Sequence, residues 1–183
     1  MTNKRKWSLT TDQMHQIRFA AERVLDGIKC ARPHVSMRQA ADYLGASIRR
    51  APYNGGELAG MLIRTNGRSV IAVNSNHHKN RQRFTIAHEC GHLILHQGVD
   101  THVDEKVSIW RRNERSATAE DLWEVEANHF AAELLMPLRF LAEDQRVLNA
   151  DLEDEILLRE LAKEYKVSQQ AMSYRLLNVA TDL

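Results

Sequence analysis

The sequence is short of several features that mark common classes of protein. It has only two cysteines, Cys30 and Cys90, which lie far apart and form no CxxC pair. This excludes a disulfide framework and a zinc site built from thiolates. The formal net charge is only +1, from 25 basic and 24 acidic side chains. Because no overall field attracts nucleic acid or membrane, binding of either kind would have to be local.

Long apolar segments are also missing. No window approaches the roughly 18 consecutive apolar residues of a membrane span. The basic cluster Lys4-Arg5-Lys6 runs into a polar stretch without the apolar segment of a secretory signal. We therefore expect a cytoplasmic protein. A chain of 183 residues, 43% of them hydrophobic, can bury one core, so we predict a single domain.

Hydrophobic periodicity predicts a mainly helical chain. One apolar face recurs from about Thr11 to Lys29, and a shorter helix begins near Ser36 and ends at Gly45. Helical patterns return at 81–96 and from about 118 to Pro137, and then at 138–148, 151–165 and 168–179. Residues 98–117 have no clear period, which is typical of a surface loop.

Strands are expected only in the first half of the chain. One is predicted at about Ser47 to Ala51, followed by a β-hairpin between Gly60 and Asn74. The two branched apolar runs of this hairpin are separated by Asn66-Gly67, which favours a type I′ turn. The fold class is therefore α+β, with several helices packed against a small sheet. We expect the strand that ends at Asn74 to pair with an extended substrate.

The strongest functional signal is an HExxH motif, His88-Glu89-Cys90-Gly91-His92, inside a predicted helix. Residues four apart stand one turn above each other, so both imidazoles can reach one Zn²⁺. Glu89 lies about 100° around the helix from His88, where it can act as general base towards the attacking water. A chance match would leave two structural surface histidines, since the motif fixes only three positions. The amphipathic helix around the motif favours the metal site.

A catalytic zinc normally has three protein ligands and keeps a fourth position open. A third histidine in the HExxHxxGxxH spacing is excluded, because Leu95 and Gly98 occupy the two diagnostic positions. His96 is one turn beyond His92 on the same rigid helix, too far along to reach the same ion. We therefore interpret His96 as a supporting or structural residue.

A carboxylate on a second helix is the other common solution. The segment 121–137 offers Glu124, Glu126 and Glu133. Glu124 has Asn128 four residues later on the same face, where it could hydrogen-bond a ligating histidine from outside the metal site. Glu126 is two residues from Glu124 and so points roughly 200° away from it. Glu124 is the best candidate for the third ligand.

Two segments resemble a known family. RFTIAHECGHLILH, from Arg83 to His96, and EVEANHFAAELLMP, from Glu124 to Pro137, are similar to the ImmA/IrrE family of intracellular bacterial and phage zinc metallopeptidases. The resemblance spans roughly Ile48 to Leu138. It implies a zincin-like single domain over 1–183, with its core at about 48–138 and a helical region at about 139–183. Cys90 stands where the family more often has an aliphatic residue, and a thiol is a small hydrophobe.

The resemblance also implies a site and a substrate. It assigns one Zn²⁺ per chain to His88, His92 and Glu124, with Glu89 as the catalytic residue. The implied activity is that of a gluzincin-like metalloendopeptidase that cleaves a regulatory protein, such as a helix-turn-helix repressor.

The C-terminal region favours a second hypothesis, a DNA-binding regulatory protein whose metal site is structural or sensory. Residues 161–177 have the form of a helix-turn-helix, with the turn at Val167-Ser168. Its second helix would read the major groove with Gln169, Gln170, Ser173 and Arg175. Two packed helices with Ser168 as N-cap would give the same pattern. The single basic residue on the second helix favours packing.

Overall fold

The computed structural model describes residues 8–53, 58–65, 67–96, 101–104, 119–148 and 154–179, with backbone only for 101–104 and 119–121. These ranges contain eight helices and four strands. In chain order they are α1 (Thr11–Gly27), α2 (Met37–Tyr43), β1 (Ala46–Ala51), β2 (Gly60–Thr65), β3 (Arg68–Asn74), α3 (Lys79–Leu95), β4 (Thr101–Asp104), α4 (Ala119–Leu135), α5 (Leu138–Glu143), α6 (Gln145–Leu148), α7 (Glu155–Tyr165) and α8 (Gln169–Val179).

The four strands form one sheet in the order β1-β3-β2-β4. The predicted hairpin is confirmed, since β2 and β3 pair in antiparallel fashion, and Gly67 has the positive φ of +72° that a tight turn requires. Asn66, the other predicted turn residue, lies outside the described residues. The prediction of a loop over 98–117 is wrong at 101–104, because these residues form β4 and pair with β2.

The strand that ends at Asn74 is not at an edge of the sheet. It is β3, which pairs with β1 in parallel on one side and with β2 on the other. The expectation that this strand pairs with a substrate is therefore wrong, because both of its edges are already hydrogen-bonded. Within the described part of the chain the edges of the sheet are β1 and β4.

The first two helices begin close to their predicted starts, each at a capping side chain. Thr10 accepts a hydrogen bond from the Gln13 backbone N–H, while the Gln13 side chain accepts one from the Thr10 backbone N–H, which completes a capping box. The Ser36 side chain caps α2 by accepting from the Gln39 backbone N–H, and Gly45 follows that helix with a φ of +74°. Pro137, predicted to end α4, also begins α5 as its N-cap. The helix predicted over 138–148 is interrupted at Asp144, which separates α5 from α6.

One hydrophobic cluster joins helices from both ends of the chain to the sheet. It includes Leu25 of α1, Leu62 of β2, Ile86 of α3, Phe130 of α4 and Met172 of α8, all fully buried. The predicted α+β class is confirmed. Helix α3 packs against α4 on one side and against β2 and β3 on the other. The HExxH segment therefore lies in the middle of the molecule rather than on its surface.

The C-terminal helices pack as the simpler interpretation expected. Ser168 caps α8 by accepting a hydrogen bond from the Ala171 backbone N–H. Arg175, a proposed reader of DNA bases, is only 3% exposed. Its guanidinium pairs with the carboxylate of Glu133 and donates through Nε to the Met136 carbonyl. The prediction that Arg175 reads DNA bases is therefore wrong, because its side chain is buried and bound within the protein. This weakens the hypothesis of a DNA-binding regulator.

Breaking the buried Arg175–Glu133 pair is expected to destabilise the fold strongly. Glu133 is 1% exposed, and Arg18 of α1 also donates to it at 3.1 Å. Replacing Arg175 by alanine would leave a buried carboxylate with less compensation, so we expect a loss of about 3 kcal/mol in the free energy of unfolding. Urea denaturation measures the loss. As a control, Arg146→Ala removes a partly exposed arginine that pairs with Asp144 and should cost less than about 1 kcal/mol. Equal losses in the two variants would contradict the interpretation.

Candidate metal centre

Helices α3 and α4 cross closely at two small residues. A Cβ added at Gly91 would lie 3.0 Å from the Cα of Ala127 and 3.2 Å from its carbonyl oxygen. Such contacts are tighter than most Cβ contacts in proteins, so glycine at position 91 favours this approach of the two backbones. The crossing determines which side chains of the two helices can meet.

Two pairs of polar residues flank the crossing. His88 and His92 lie three residues before and one residue after Gly91, and Glu124 and Asn128 have the same relation to the small residue of α4. Residues four apart share one face of a helix. The crossing therefore places the two histidines of α3 opposite the carboxylate and amide of α4.

The donor atoms of His88, His92 and Glu124 converge. The two histidine Nε2 atoms are 3.0 Å apart, and the Glu124 carboxylate oxygens lie 3.4 Å from His88 Nε2 and 3.2 Å from His92 Nε2. Ligands of a tetrahedral zinc at about 2.0 to 2.1 Å are separated from each other by about 3.3 Å. The observed separations fit that geometry. His88 and His92 are buried, whereas the Glu124 side chain is 34% exposed, so the group is reached from the Glu124 side.

Each histidine has a second partner at its other ring nitrogen. His88 Nδ1 lies 3.1 Å from Asn128 Oδ1, as the spacing of Asn128 and Glu124 predicted. His92 Nδ1 lies 3.0 Å from Nδ1 of His96. The three atoms that form the cluster do not include an atom of His96, in agreement with its interpretation as a supporting residue. Such outer contacts orient the rings of metal-binding histidines.

Glu126 has a place near the site that sequence reasoning missed. Its Oε2 lies 2.8 Å from His96 Nε2, and its Oε1 accepts from the side chain of Gln13 at 3.3 Å. Trp123, one turn before Glu126 on α4, stacks on the His96 ring at a centroid distance of 5.1 Å. The i, i+3 spacing of Trp123 and Glu126 could have indicated that the two side chains share one face of α4. The approach of α1 to that face was not visible in the sequence.

The carboxylate of Glu89 is fully buried and faces the beginning of β2. A Cβ added at Gly60 would lie 3.3 Å from Glu89 Oε1 and would collide with the Cγ2 of Thr85. Glycine at position 60 therefore leaves the space that this carboxylate occupies. From the same strand, Arg64 donates to the His92 carbonyl oxygen at 2.7 Å. This bond ties the last turn of α3 to the sheet, and the same carbonyl also accepts from the His96 backbone N–H at 3.2 Å.

Glu133, the third carboxylate that the sequence offered, is not part of this cluster. It lies on α4 but points to Arg175 of α8 and Arg18 of α1. Of the three glutamates, Glu124 is the one grouped with the histidines.

The Cys90 thiol, next to Glu89 in the HExxH segment, is expected to be unreactive. Burial, together with the negative charge of Glu89, raises its pKa to about 12. Since a thiol reacts as the thiolate, we expect no labelling of Cys90 by a thiol-specific disulfide reagent at mildly alkaline pH in the native protein. Half-buried Cys30 should react. A colorimetric count of thiols should give one per native chain, two after denaturation, and none in native Cys30→Ser. Two reactive thiols in the native protein would contradict the burial of Cys90.

Comparison with known proteins places this arrangement in a family. Residues 41–177 match the peptidase family described as the IrrE N-terminal-like domain, Peptidase_M78. The chain belongs to this family. The resemblance seen in the two sequence segments is thereby confirmed, and the IrrE-like family is one of metallopeptidases. The matched region includes the histidines, glutamates and asparagine described above, whereas α1 lies outside it.

A named relative of this IrrE-like chain comes from a virus. It is the "Uncharacterized immunity region protein 2" of Bacillus phage phi105, which is 30% identical over 122 residues, 66% of this chain and 68% of that protein. Within the described ranges, no helix is both long and apolar enough to cross a membrane.

Proposed function

We propose that this chain is a zinc-dependent endopeptidase whose metal is held by His88, His92 and Glu124. The observation that carries the proposal is the convergence of three donor atoms, one from each residue, within 4.8 Å of one another. Two imidazoles and one carboxylate form a donor set that catalytic zinc sites use, with the fourth position left for water or substrate. We also propose that 1–183 acts as one domain, with its core at about 48–138.

Asn128 is assigned the role of orienting His88. A histidine that binds metal through Nε2 carries its proton on Nδ1 and needs an acceptor there. The Asn128 side-chain oxygen lies at that position. Because His88 is fully buried, no solvent can replace this contact. Asn128 therefore supports the metal site without touching the ion.

The chemistry assigned to the chain is hydrolysis of a peptide bond. When bound, zinc supplies Lewis acidity to the attacking water and to the scissile carbonyl. Glu89 accepts the proton of the attacking water at its carboxylate and delivers it to the nitrogen of the leaving amine. The carboxylate is fully buried and occupies the space that Gly60 leaves. Substrate enters from the side of Glu124, the partly exposed member of the cluster.

The substrate that we propose is a regulatory protein, in particular a helix-turn-helix repressor. The support is membership of the IrrE-like family, together with the immunity-region name of the phage relative. The test is to incubate the zinc-loaded protein with the repressor encoded nearest its gene and to identify products by mass spectrometry. We expect one specific cut that depends on zinc. An intact repressor under conditions in which the chain is folded and zinc-loaded would contradict this choice of substrate.

A further inference from the structure

We propose that two buried amide side chains, Asn74 and Gln82, hold the Glu89 carboxylate in the position that catalysis requires. They do so by fixing the two walls of the space that this carboxylate occupies. One wall is the beginning of β2 at Gly60, and the other is the face of α3 that carries Glu89. Asn74 and Gln82 are positioning residues, since they act through these walls. The inference rests on the proposed role of Glu89 as the base.

Two amide side chains are buried in the part of the chain that the structure describes, Asn74 at 0% and Gln82 at 2% exposure. Both lie at the short connection between β3 and α3, because Asn74 ends β3 and Gln82 is in the first turn of α3. Burying an amide costs free energy unless its donors and acceptors find partners. The partners of these two side chains therefore indicate what each of them holds in place.

The Asn74 side chain bonds to backbone at both of its ends. Its Oδ1 accepts from the N–H groups of Tyr53 at 3.3 Å and Asn76 at 3.0 Å. Its Nδ2 donates to the carbonyl oxygens of Leu58 at 3.0 Å and Tyr53 at 3.3 Å. Backbone donors on one side and acceptors on the other determine which end of the amide is the oxygen. An aliphatic side chain of similar size can supply neither kind of bond.

These bonds fix the beginning of β2. Leu58 is held by the Asn74 side chain, and the carbonyl of the next residue, Ala59, accepts from the Asn74 backbone N–H at 3.0 Å. Gly60 follows directly, and a Cβ added to it would lie 3.3 Å from Glu89 Oε1. A movement of this part of β2 towards or away from α3 would change the room left for the carboxylate. Asn74 therefore sets the position of the first wall.

Gln82 fixes the second wall. Its Nε2 donates to the carbonyl oxygens of Ser75 at 3.2 Å and His77 at 2.7 Å, in the connection that follows Asn74. Gln82 and Glu89 are seven residues apart, which is about two turns, so they share one face of α3. The face that carries Glu89 is thereby attached to the same connection that Asn74 attaches to β2.

The position of the carboxylate matters because proton transfer requires a base within hydrogen-bond reach of the attacking water. Misplacing a reacting group by about 1 Å can lower a rate by about 100-fold. Among the described residues, neither amide hydrogen-bonds to His88, His92 or Glu124. Loss of the amides should therefore lower turnover and leave zinc binding intact.

The test uses two neutral substitutions of similar size. Asn74→Leu removes the bonds that hold β2, and Gln82→Met removes the bonds that hold α3. Gln82→Met breaks two bonds rather than four, so it keeps the test decisive if Asn74→Leu does not fold. Gln170→Met, on the exposed surface of α8, is the matched control.

The first measurement needs neither metal nor substrate. Crystal structures of the metal-free wild type and variants give the separation between the Gly60 Cα and Glu89 Cδ atoms. We expect this separation to change by about 0.5 Å or more in Asn74→Leu and Gln82→Met, beyond the tolerance of a catalytic group, and not in Gln170→Met. An unchanged separation in a folded Asn74→Leu or Gln82→Met variant would overturn the positioning role of that residue.

The second measurement is the kinetics of cleavage of the repressor encoded nearest the gene, with zinc content measured on the same samples. We expect kcat to fall by about 10- to 100-fold in Asn74→Leu and Gln82→Met. KM should stay within about twofold, because ground-state binding is retained. Zinc content should be unchanged.

A double-mutant cycle with Glu89→Gln separates positioning of the base from a general effect on the fold. Without the base, the same two substitutions should lower the residual rate, followed over long incubations, by less than about twofold. The same fold loss with and without Glu89, or a loss confined to KM or to zinc content, would contradict the proposal. The expected displacement in the crystal structures, with no cleavage by the folded and zinc-loaded wild type, would instead contradict the proposed function.

Discussion

Replacing Glu89 by glutamine is expected to lower the rate of substrate cleavage by about 100- to 10,000-fold while zinc remains bound. The amide has nearly the same shape as the carboxylate, so it should fit the buried space beside Gly60. It cannot accept the proton of the attacking water. Cleavage rate by mass spectrometry and zinc content per chain, measured on the same preparation, separate the loss of the base from the loss of the metal.

The matched control for this variant is Glu143→Gln, because Glu143 is an exposed carboxylate far along the chain from the HExxH segment. It should cleave and bind zinc as the wild type does. Cleavage by Glu89→Gln at close to the wild-type rate would remove Glu89 from the mechanism. Loss of zinc from Glu89→Gln would make it a ligand or a structural support rather than the base.

Glu124→Ala should have the largest effect on metal binding. It removes both carboxylate oxygens that face the two histidines, at 3.4 and 3.2 Å. Changes to outer partners of zinc ligands already weaken binding by 10- to 100-fold, so removal of a ligand should cost at least about 100-fold. Asn128→Ala should cost about 10-fold, because His88 keeps its position on the helix and loses only its acceptor. Chelator competition measures both.

Glu160→Ala provides the comparison, since it removes an exposed carboxylate of α7. Its zinc affinity should equal that of the wild type. An affinity of Glu124→Ala that is also unchanged would show that Glu124 is not a ligand, whatever its distance from the histidines. An effect of Asn128→Ala larger than that of Glu124→Ala would reverse the two assignments.

The parts of the fold that follow from local pattern were predictable. The apolar face of α1, the start of α2 near Ser36 and the turn before β3 each depend on residues within one or two turns of chain. The convergence of His88 with His92 was predictable for the same reason, since the two histidines share one helix. The grouping of Glu124 with these histidines agrees with the i, i+4 relation between Glu124 and Asn128, which can be seen without knowing how α4 packs.

Features that depend on distant pairing were not predictable. Strand β4 has four residues, and its partners in β2 lie about 40 positions earlier, so no local alternation marked it. The central position of β3 follows from the parallel pairing with β1, which strand pattern alone does not reveal. Local sequence indicated only an arginine on a helix at position 175, and its partner Glu133 lies 42 residues away.

The contacts of Glu126 with Gln13 and His96 were missed for the same physical reason. Gln13 and Glu126 are 113 residues apart, and their contact depends on how α1 packs against α4. On α4 itself, Glu126 is about 200° around the helix from Glu124, and of the two only Glu124 is grouped with His88 and His92. Helical geometry did not show that the Glu126 carboxylate contacts the His96 ring, one turn beyond His92.

The central claim, that His88, His92 and Glu124 hold a zinc ion, is tested most directly by anomalous X-ray diffraction at the zinc absorption edge from crystals of the zinc-loaded protein. We predict one anomalous peak per chain, about 2.0 to 2.2 Å from both histidine Nε2 atoms and from a Glu124 carboxylate oxygen. A peak coordinated by His96 and Glu126 instead, or no peak between α3 and α4, would contradict the claim.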